Sequence, residues 1–345
     1  MRAIVLHEFG GPEVMRVEEI EAPTPGAGEV VVEVHSVSVN RALDIQVRKD
    51  GGNYGVQLPL ILGTDSSGFV VEVGPGVETP KLGERVTVHP NFACGRCANC
   101  REGKPCRQPK MIGVHCWGGY AERILAPAEN CITVPEAVPF PTASVLARHY
   151  PTALSELRRA NIEPGETALV MGAAGALGSC VVQALRLAGV RVIAAAGTDD
   201  RLQAALSLGA EFGINYGQER LSEEVKRATD GRGVDVVFEN IGAPDLWAEA
   251  FACLAREGRL VTAGAHGGGV VTLDVRRLYQ DRLSVIGGIG LELKEDVALA
   301  LELAAAGQIC ALVDRVLPLS EAPLAHELVD ANQTVGKVVL DPSLS

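Results

Sequence analysis

The sequence predicts an α/β protein in which a β-rich part precedes a doubly wound parallel sheet. Residues 1–130 contain strand-like runs that are separated by glycine and proline turns. From Thr152 onward, helical patterns alternate with short buried strands, an order typical of a parallel sheet covered by helices. A glycine turn between one of these strands and the following helix is the third indication.

The glycine turn has the sequence context of a nucleotide-binding unit. An apolar run at Thr167–Met171 predicts a buried strand, and Arg191–Ala196 predicts the next one. Between them, Gly172, Gly175 and Gly178 allow a tight turn, close approach of a pyrophosphate and close packing of the helix on the sheet. The N-terminus of that helix offers unpaired N–H groups to phosphates.

The end of the second strand favours NADPH over NADH. NAD sites usually carry an acid there for the ribose 2′-hydroxyl, and this chain has Ala196. Thr198 and Arg201 follow and can contact a 2′-phosphate. Asp199 and Asp200 count against this prediction, but acids are also favoured in the first turn of the next helix.

Composition excludes several classes of function. The chain has 345 residues, a net charge of −12 and 47% hydrophobic residues, which predicts packed domains and argues against nucleic-acid and membrane partners. No apolar run approaches the length of a membrane span, and the N-terminus lacks the long apolar region of a signal peptide. With nine cysteines of which four are clustered, we expect a cytoplasmic protein with metal-bound and buried thiols.

The individual strands and helices can be placed approximately. In the first part, strands are predicted at 26–39, 63–73 and 85–88. In the second part, further strands are predicted at 212–216, 234–239, 259–264 and 283–289. The tail, 291–345, contains two predicted helices at 294–306 and 319–331 and is expected to return to the first domain.

A cysteine cluster in the first part predicts a zinc site. Cys94, Cys97 and Cys100 follow one another in steps of three, and Cys106 lies close behind. Four thiolates can surround a tetrahedral Zn²⁺ and leave no open coordination position. The sequence therefore predicts one structural zinc ion.

Several motifs together resemble the zinc-type medium-chain dehydrogenase/reductase family. Besides the cysteines and the glycine turn, they are Gly74-Pro75-Gly76-Val77, Gly83-Glu84-Arg85-Val86, Gly118-Gly119-Tyr120-Ala121-Glu122, Gly231-Arg232-Gly233-Val234-Asp235 and Gly336-Lys337-Val338-Val339-Leu340. The resemblance implies a GroES-like catalytic domain, formed by 1–149 and 291–345 with the zinc lobe at about 90–110. It also implies a Rossmann NADP-binding domain at 150–290.

The chain departs from this family in its cysteine lobe. The family usually has seven residues between the third and fourth cysteines, and this chain has five. Cys116 is therefore a possible substitute for Cys106.

The chain also departs from the family at the catalytic metal site. Aligned on Asp44, the family's first ligand, a cysteine, becomes Arg41, and its histidine ligand becomes Thr64. Neither residue is a good zinc ligand. We therefore expect no catalytic zinc, and we hypothesise that Arg41 and Arg148 bridge to Asp44 and Asp65 instead.

A chain that keeps the structural cysteines but lacks the catalytic zinc ligands resembles the quinone oxidoreductase and enoyl reductase branch of the family. That branch also resembles this chain at Val39-Asn40-Arg41-Ala42 and at Ile214-Asn215-Tyr216, and it implies roles for Thr152 and Tyr216 near the cofactor. The predicted cofactor contacts are Thr152, Gly172, Gly175, Ala176, Leu177, Gly178, Thr198, Arg201, Tyr216, Asn240 and Gly264.

The predicted function is NADPH-dependent reduction of a quinone or an activated C=C bond in a small molecule. The candidate catalytic residues are Asn40, Tyr54 and His149, and Trp117 is a candidate for shaping the pocket. Two alternatives remain open: an alcohol dehydrogenase with an unusual site, and a non-catalytic NADPH-binding redox sensor. The apolar strand at 283–289 favours a homodimer.

Overall fold

The computed structural model describes residues 1–104, 106–290 and 293–344. It divides into two compact units. The first unit comprises Met1–Arg148, Leu301–Gln308 and Val313–Ser345, and the second comprises His149–Ala300 and Ile309–Leu312. The predicted tail begins at Leu291, which lies outside the described residues.

Seventeen strands run through the described residues. In chain order they are β1 (Arg2–Val5), β2 (Arg16–Glu19), β3 (Glu29–Ser38), β4 (Ser66–Val73), β5 (Arg85–Val88), β6 (Asn91–Phe92), β7 (Lys110–Met111), β8 (Arg123–Pro127), β9 (Cys131–Thr133), β10 (Thr167–Met171), β11 (Arg191–Ala196), β12 (Phe212–Asn215), β13 (Val234–Phe238), β14 (Leu254–Thr262), β15 (Ser284–Gly287), β16 (Val313–Pro318) and β17 (Lys337–Asp341).

The α-helices of the same residues alternate with the later strands. They are α1 (Gln46–Asp50), α2 (Ala98–Arg101), α3 (Phe140–Ala160), α4 (Ala176–Leu187), α5 (Asp199–Ser207), α6 (Leu221–Ala228), α7 (Pro244–Ala252), α8 (Val275–Gln280), α9 (Lys294–Ala305) and α10 (Ala322–Asp330). A π-helical turn at Arg41–Ile45 leads into α1, and a 3-10 turn at Leu319–Glu321 leads into α10.

A mostly antiparallel sheet forms the first unit. Its strands lie in the order β16-β17-β3-β4-β5-β9, and β8 also pairs with β3. The alternating valines of β3 are buried: Val30, Val32 and Val34 are at most 1% exposed. They pack in one hydrophobic core with residues of the C-terminal tail, including Val338 and Leu340 of β17. Of the tail, Leu301–Gln308 and Val313–Ser345 belong to the first unit, whereas 294–300 and Ile309–Leu312 belong to the second.

A six-stranded parallel sheet forms the second unit. The strand order is β12-β11-β10-β13-β14-β15, and every neighbouring pair is parallel. The order reverses between β10 and β13, which is where doubly wound sheets bind ligands. The α/β prediction and its two-part division into a β-rich and a doubly wound fold are therefore confirmed.

Several predicted element boundaries were wrong: β3 and β4, for example, each begin three residues after the predicted starts at 26 and 63. The strand predicted at 259–264 is the second half of β14, which begins at Leu254, and the last helix begins at Ala322 because a 3-10 turn precedes it. Glu257 in β14 has a φ of 67°, which interrupts the regular pattern that the sequence suggested. Among the described residues, no helix is both long enough and apolar enough to cross a membrane.

Candidate active site

The glycine turn joins β10 to α4 as the sequence predicted. Gly172 has a φ of 60°, a conformation that residues with a Cβ rarely adopt. The Gly175 N–H donates to the Gly172 carbonyl at 2.8 Å, and Gly175 is the N-cap of α4. A Cβ at Gly178 would lie 2.3 Å from the Gly172 oxygen, so only glycine allows the helix to approach the turn this closely. Ala176, at the start of α4, is partly exposed beside the turn.

A shallow cavity of about 420 Å³ opens at the end of β11. It is lined by Gly197, Thr198, Asp199, Asp200, Asn215, Gly217 and Gln218. The ring of Tyr216 packs close to Gly197, since a Cβ at Gly197 would lie 3.1 Å from the Tyr216 Cε2 atom. Burial raises the pKa of Tyr216, and the nearby charge of Arg201 opposes that rise. Of the predicted cofactor residues, Thr198 lines this cavity.

The structure changes the interpretation of Asp199. Thr198 is the N-cap of α5 without a capping bond from its side chain, and Asp199 lies in the first turn. The Asp199 carboxylate accepts hydrogen bonds from the Asn215 amide at 2.6 Å and the Gln218 amide at 3.3 Å. Asp199 therefore ties α5 to the end of β12 while remaining at the cavity wall.

The end of β13 lies beside the glycine turn and has polar side chains. The Asn240 amide donates to Glu156 at 3.1 Å and accepts from the Ala263 N–H at 2.6 Å. A Cβ at Gly264 would lie 2.3 Å from the Asn240 carbonyl oxygen. Asn240 and Gly264 thus shape the backbone at this edge of the sheet. The sequence reading missed Glu239, whose fully buried carboxylate accepts from the Ile241 and Gly242 N–H groups.

Two predicted residues of this unit, Thr152 and His149, both lie in α3 and are partly buried. Leu177, in the first turn of α4, is also partly buried. The buried face of α4 is formed by residues that include Val181 and Leu185, as the helical pattern predicted.

The four clustered cysteines converge in the first unit. The Sγ atoms of Cys94, Cys97, Cys100 and Cys106 all lie within 4.8 Å of one another. Backbone N–H groups point at the sulfurs: those of Cys94 and Gln108 donate to Cys106 at 3.3 Å each. Such bonds favour thiolates, and backbone donors, chiefly that of Arg107, lower the pKa of Cys97 to about 6. This donor set fits tetrahedral Zn²⁺.

Cys116 is not part of this cluster. Its Sγ lies 3.9 Å from the Met111 carbonyl oxygen, and the residue packs against the hydrophobic core of the first unit. Burial raises the pKa of its thiol to about 11. The fourth member of the cluster is Cys106, despite the shortened spacing.

A buried hydrogen-bond network includes Thr64, the residue that the family resemblance aligns with the histidine ligand. Asp65 accepts from the Ser38 hydroxyl at 3.0 Å, the Asn40 amide at 2.7 Å and the Thr64 hydroxyl at 2.8 Å. Asp44 accepts from the backbone N–H groups of Asn40 at 2.7 Å and Gly63 at 3.1 Å. Both carboxylates are 1% exposed. The network joins the segment after β3 to the segment before β4.

That Arg41 and Arg148 bridge to these acids stays a hypothesis. The Arg41 guanidinium donates to the carbonyl oxygens of Val329 and Asp330, at the end of α10. A cation is favoured there because the last carbonyls of a helix lack partners and carry a partial negative charge. The cation next to the network is Lys337, which the sequence reading missed. Its Nζ donates to the Val39 carbonyl at 2.6 Å and to the Asn40 side-chain oxygen.

Two partly exposed aromatic rings lie on neighbouring segments of the first unit. The Tyr54 hydroxyl donates to the Ala42 carbonyl at 3.2 Å, and the Trp117 indole N–H donates to the Pro59 carbonyl at 3.2 Å. The rings are 36% and 46% exposed, respectively. The two segments are joined because His115 lies 3.0 Å from the Tyr54 carbonyl oxygen and Gly118 N–H donates to Ile61 O. Backbone carbonyls thus hold the polar ends of both rings.

Comparison with known proteins identifies the family. The model of the alcohol dehydrogenase GroES-like domain matches residues 26–136, and that of the zinc-binding dehydrogenase matches residues 176–306. An NAD-dependent alcohol dehydrogenase from Sulfolobus acidocaldarius is 33% identical, with 99% of each chain covered. The chain belongs to the zinc-binding alcohol dehydrogenase family. Quinone oxidoreductase-like protein 2 from Bos taurus is 32% identical, with 98% of this chain and 92% of the relative covered.

A solved structure supports the same assignment. The crystal structure of an NAD-dependent alcohol dehydrogenase superposes with a TM-score of 0.91 at 34% identity and 99% coverage of both chains. The chain is therefore an oxidoreductase of this family with a nicotinamide-binding unit. Its relatives include proteins named alcohol dehydrogenase and proteins named quinone oxidoreductase-like protein.

The network makes a prediction about the ionisation of Asp44. Burial, followed by the charge of Asp65, raises its pKa from 3.8 to about 7. The fold thus favours the protonated carboxyl, and this contribution to stability is complete below the ordinary pKa and lost as the pH rises through about 7. A carboxyl ¹³C NMR titration, assigned with Asp44→Asn, should find the raised pKa, and Asp65→Asn should lower it. An ordinary pKa, unchanged by Asp65→Asn, would contradict the assigned environment.

Proposed function

We propose that the protein is an NADPH-dependent oxidoreductase that transfers hydride to a quinone or an activated C=C bond without a catalytic metal. The observation that supports this most directly is the network of Asn40, Asp44, Thr64 and Asp65, with the Lys337 ammonium beside it. Zinc prefers thiolate and imidazole ligands, and Arg41 and Thr64 stand at the aligned positions. The donor set does not fit a catalytic zinc.

Reduction of a conjugated substrate needs less activation by the protein than oxidation of an alcohol does. In the proposed reaction the nicotinamide supplies the hydride, and the carbonyl group of the substrate accepts the developing negative charge. The chain has to orient the substrate and stabilise that charge. Tyr54 and His149 are our candidates for this task. Both ends of the Asn40 side-chain amide already have partners in the network, so we assign Asn40 to positioning.

The aromatic rings of Tyr54 and Trp117 support a flat, conjugated substrate. Because their polar ends are held by backbone carbonyls, the rings present fixed faces. Offset stacking on such faces favours planar π-systems. A quinone or an aryl enone fits this surface better than a small aliphatic alcohol does.

An alcohol dehydrogenase is the second candidate function. Relatives over the full chain length are named NAD-dependent alcohol dehydrogenases. This candidate requires oxidation of alcohols by a site whose aligned ligand positions carry Arg41 and Thr64.

The substrate class can be tested by turnover and by fluorescence. We expect NADPH oxidation with quinones and enones and no oxidation of simple alcohols. The chain has two tryptophans, of which Trp117 is exposed and Trp247 is 6% exposed, so a bound quinone should quench the Trp117 emission. Trp117→Leu should abolish the quenching and raise KM for quinones more than for acyclic enones. Alcohol oxidation without enone reduction would favour the second candidate instead.

We propose NADPH as the preferred cofactor because Ala196 ends β11 and the positive charge of Arg201 acts on Tyr216, which packs close to the cavity residue Gly197. Asp199 and Asp200 line the same cavity, and the amide bonds to Asp199 offset part of its charge.

Charge reversal at Arg201 tests the preference. In calorimetric titration, NADPH should bind at least about tenfold more tightly than NADH, a difference of roughly 1.4 kcal/mol. Arg201→Glu should remove most of this difference, because it replaces a cation near the 2′-phosphate with an anion. Arg256→Glu is the matched control, since Arg256 is exposed at the other end of the parallel sheet. Equal affinities of the parent protein for the two cofactors would overturn the assignment.

We also propose that the cysteine cluster holds one structural zinc ion. Cys106→Ser should lower the zinc content and the melting temperature, because a closed thiolate site stabilises the fold. Cys116→Ser is the matched control and should retain the metal, since its thiol lies outside the cluster. Equal zinc content in both variants, measured by atomic absorption, would refute Cys106 as a ligand.

A homodimer is our proposal for the assembly. Strand β15 forms one edge of the parallel sheet, and Val285 and Ile289 on or after it are 40% and 61% exposed. Exposed apolar edge strands are surfaces that pair readily with another chain.

A further inference from the structure

Lys337 is a buried lysine whose ammonium group faces the network rather than solvent. The residue is 5% exposed, and its Nζ donates to the Val39 carbonyl at 2.6 Å and to the Asn40 side-chain oxygen. It opens β17, which pairs with β3 through Val339 and Ser38, so the backbone of the C-terminal strand fixes the position of the lysine. Burying an ammonium is costly unless its donors have partners.

Only one orientation of the Asn40 side-chain amide is compatible with the contacts of this residue. The oxygen accepts from the Lys337 ammonium, and the nitrogen donates to Asp65 at 2.7 Å and Thr64 at 3.2 Å. If the amide were reversed, its NH₂ group would face an ammonium and its oxygen would face a carboxylate. Both contacts would be repulsive, because an ammonium only donates and an ionised carboxylate only accepts.

The charge of Lys337 also acts on Asp44. The ammonium lowers the pKa of Asp44, opposing the larger effects of burial and of Asp65. Lys337 is thus linked to Asp65 by hydrogen bonds through the Asn40 amide, and its charge acts on Asp44 through space.

We propose that Lys337 is a positioning residue for hydride transfer, acting through Asn40 to hold the segment that aligns with the first metal ligand of the family. The proposal rests on the proposed function. In place of a metal ion, an ammonium on β17 and a carboxylate before β4 hold the amide between them. The segments that carry Asn40 and Thr64 thereby keep the same relative position while negative charge develops on the substrate.

The expected effect is on the catalytic rate rather than on substrate affinity. Misplacement of a site segment by about 1 Å can cost about 100-fold in rate. Lys337→Met keeps the length and removes the donor and the charge, so kcat should fall roughly 10- to 100-fold with little change in KM. Lys337→Gln retains a donor for the Asn40 oxygen and should keep more of the rate. Lys81→Met, at an exposed lysine of the same unit, is the control.

A double-mutant cycle separates positioning from a general loss of stability. Lys337→Met, Asn40→Ala and the double variant are compared in quinone reduction and in urea unfolding. If Lys337 acts through Asn40, the loss in kcat caused by Lys337→Met should nearly vanish in the Asn40→Ala background. The unfolding free energies should also be non-additive.

The outcomes are distinguishable. Additive losses in kcat would overturn the positioning role while leaving the proposed function intact. Additive unfolding free energies would overturn the contact itself. Loss of kcat in Lys337→Gln as large as in Lys337→Met would mean that the charge, rather than the held amide, matters. Turnover of no acceptor by the parent protein would overturn the proposed function and this role with it.

Discussion

The arrangement of the first unit depends on two buried carboxylates that are satisfied by hydrogen bonds. Asp44 and Asp65 are each 1% exposed. A carboxylate in such surroundings needs donors or a cation, because loss of its hydration is otherwise too costly. Asp44 receives backbone N–H groups, and Asp65 receives two hydroxyls and an amide. The bonds join the segment after β3 to the segment before β4.

The other features of this region follow from that constraint. Asn40 has to present its nitrogen to Asp65, and its oxygen therefore needs a donor, which Lys337 provides. Arg41, next to Asn40 in the chain, donates to carbonyl oxygens at the end of α10. A network of this kind is sensitive to the loss of any member, since removing one partner of a buried charge costs about 3–5 kcal/mol.

Features determined by local chain geometry could be predicted from the sequence. The glycine turn requires a positive φ at Gly172 and close packing at Gly178, and both constraints are visible in a short segment. The cysteine cluster spans thirteen positions, so its convergence could also be foreseen, although its fourth member could not be decided between Cys106 and Cys116. The buried strands were found from apolar runs, with errors where Glu257 and a 3-10 turn change the backbone.

The network could not be predicted because its members are distant in the chain. Lys337 lies 297 positions from Asn40, and Val329 lies 288 positions from Arg41. The pairing of β17 with β3 brings Lys337 there, and no local pattern indicates that pairing. The sequence did contain one indication of the network, namely a lysine at the start of the buried strand Lys337–Asp341. A lysine in a buried strand needs an internal partner.

The central claim is that hydrogen bonds and an ammonium take the place of the catalytic metal in this chain. The most direct test is the zinc content of the purified protein after incubation with excess Zn²⁺ and removal of loosely bound metal, measured together with reductase activity. The account predicts one zinc per chain and undiminished quinone reduction. Two zinc ions per chain, the second lost together with activity when Asp65 is changed to Asn, would contradict it.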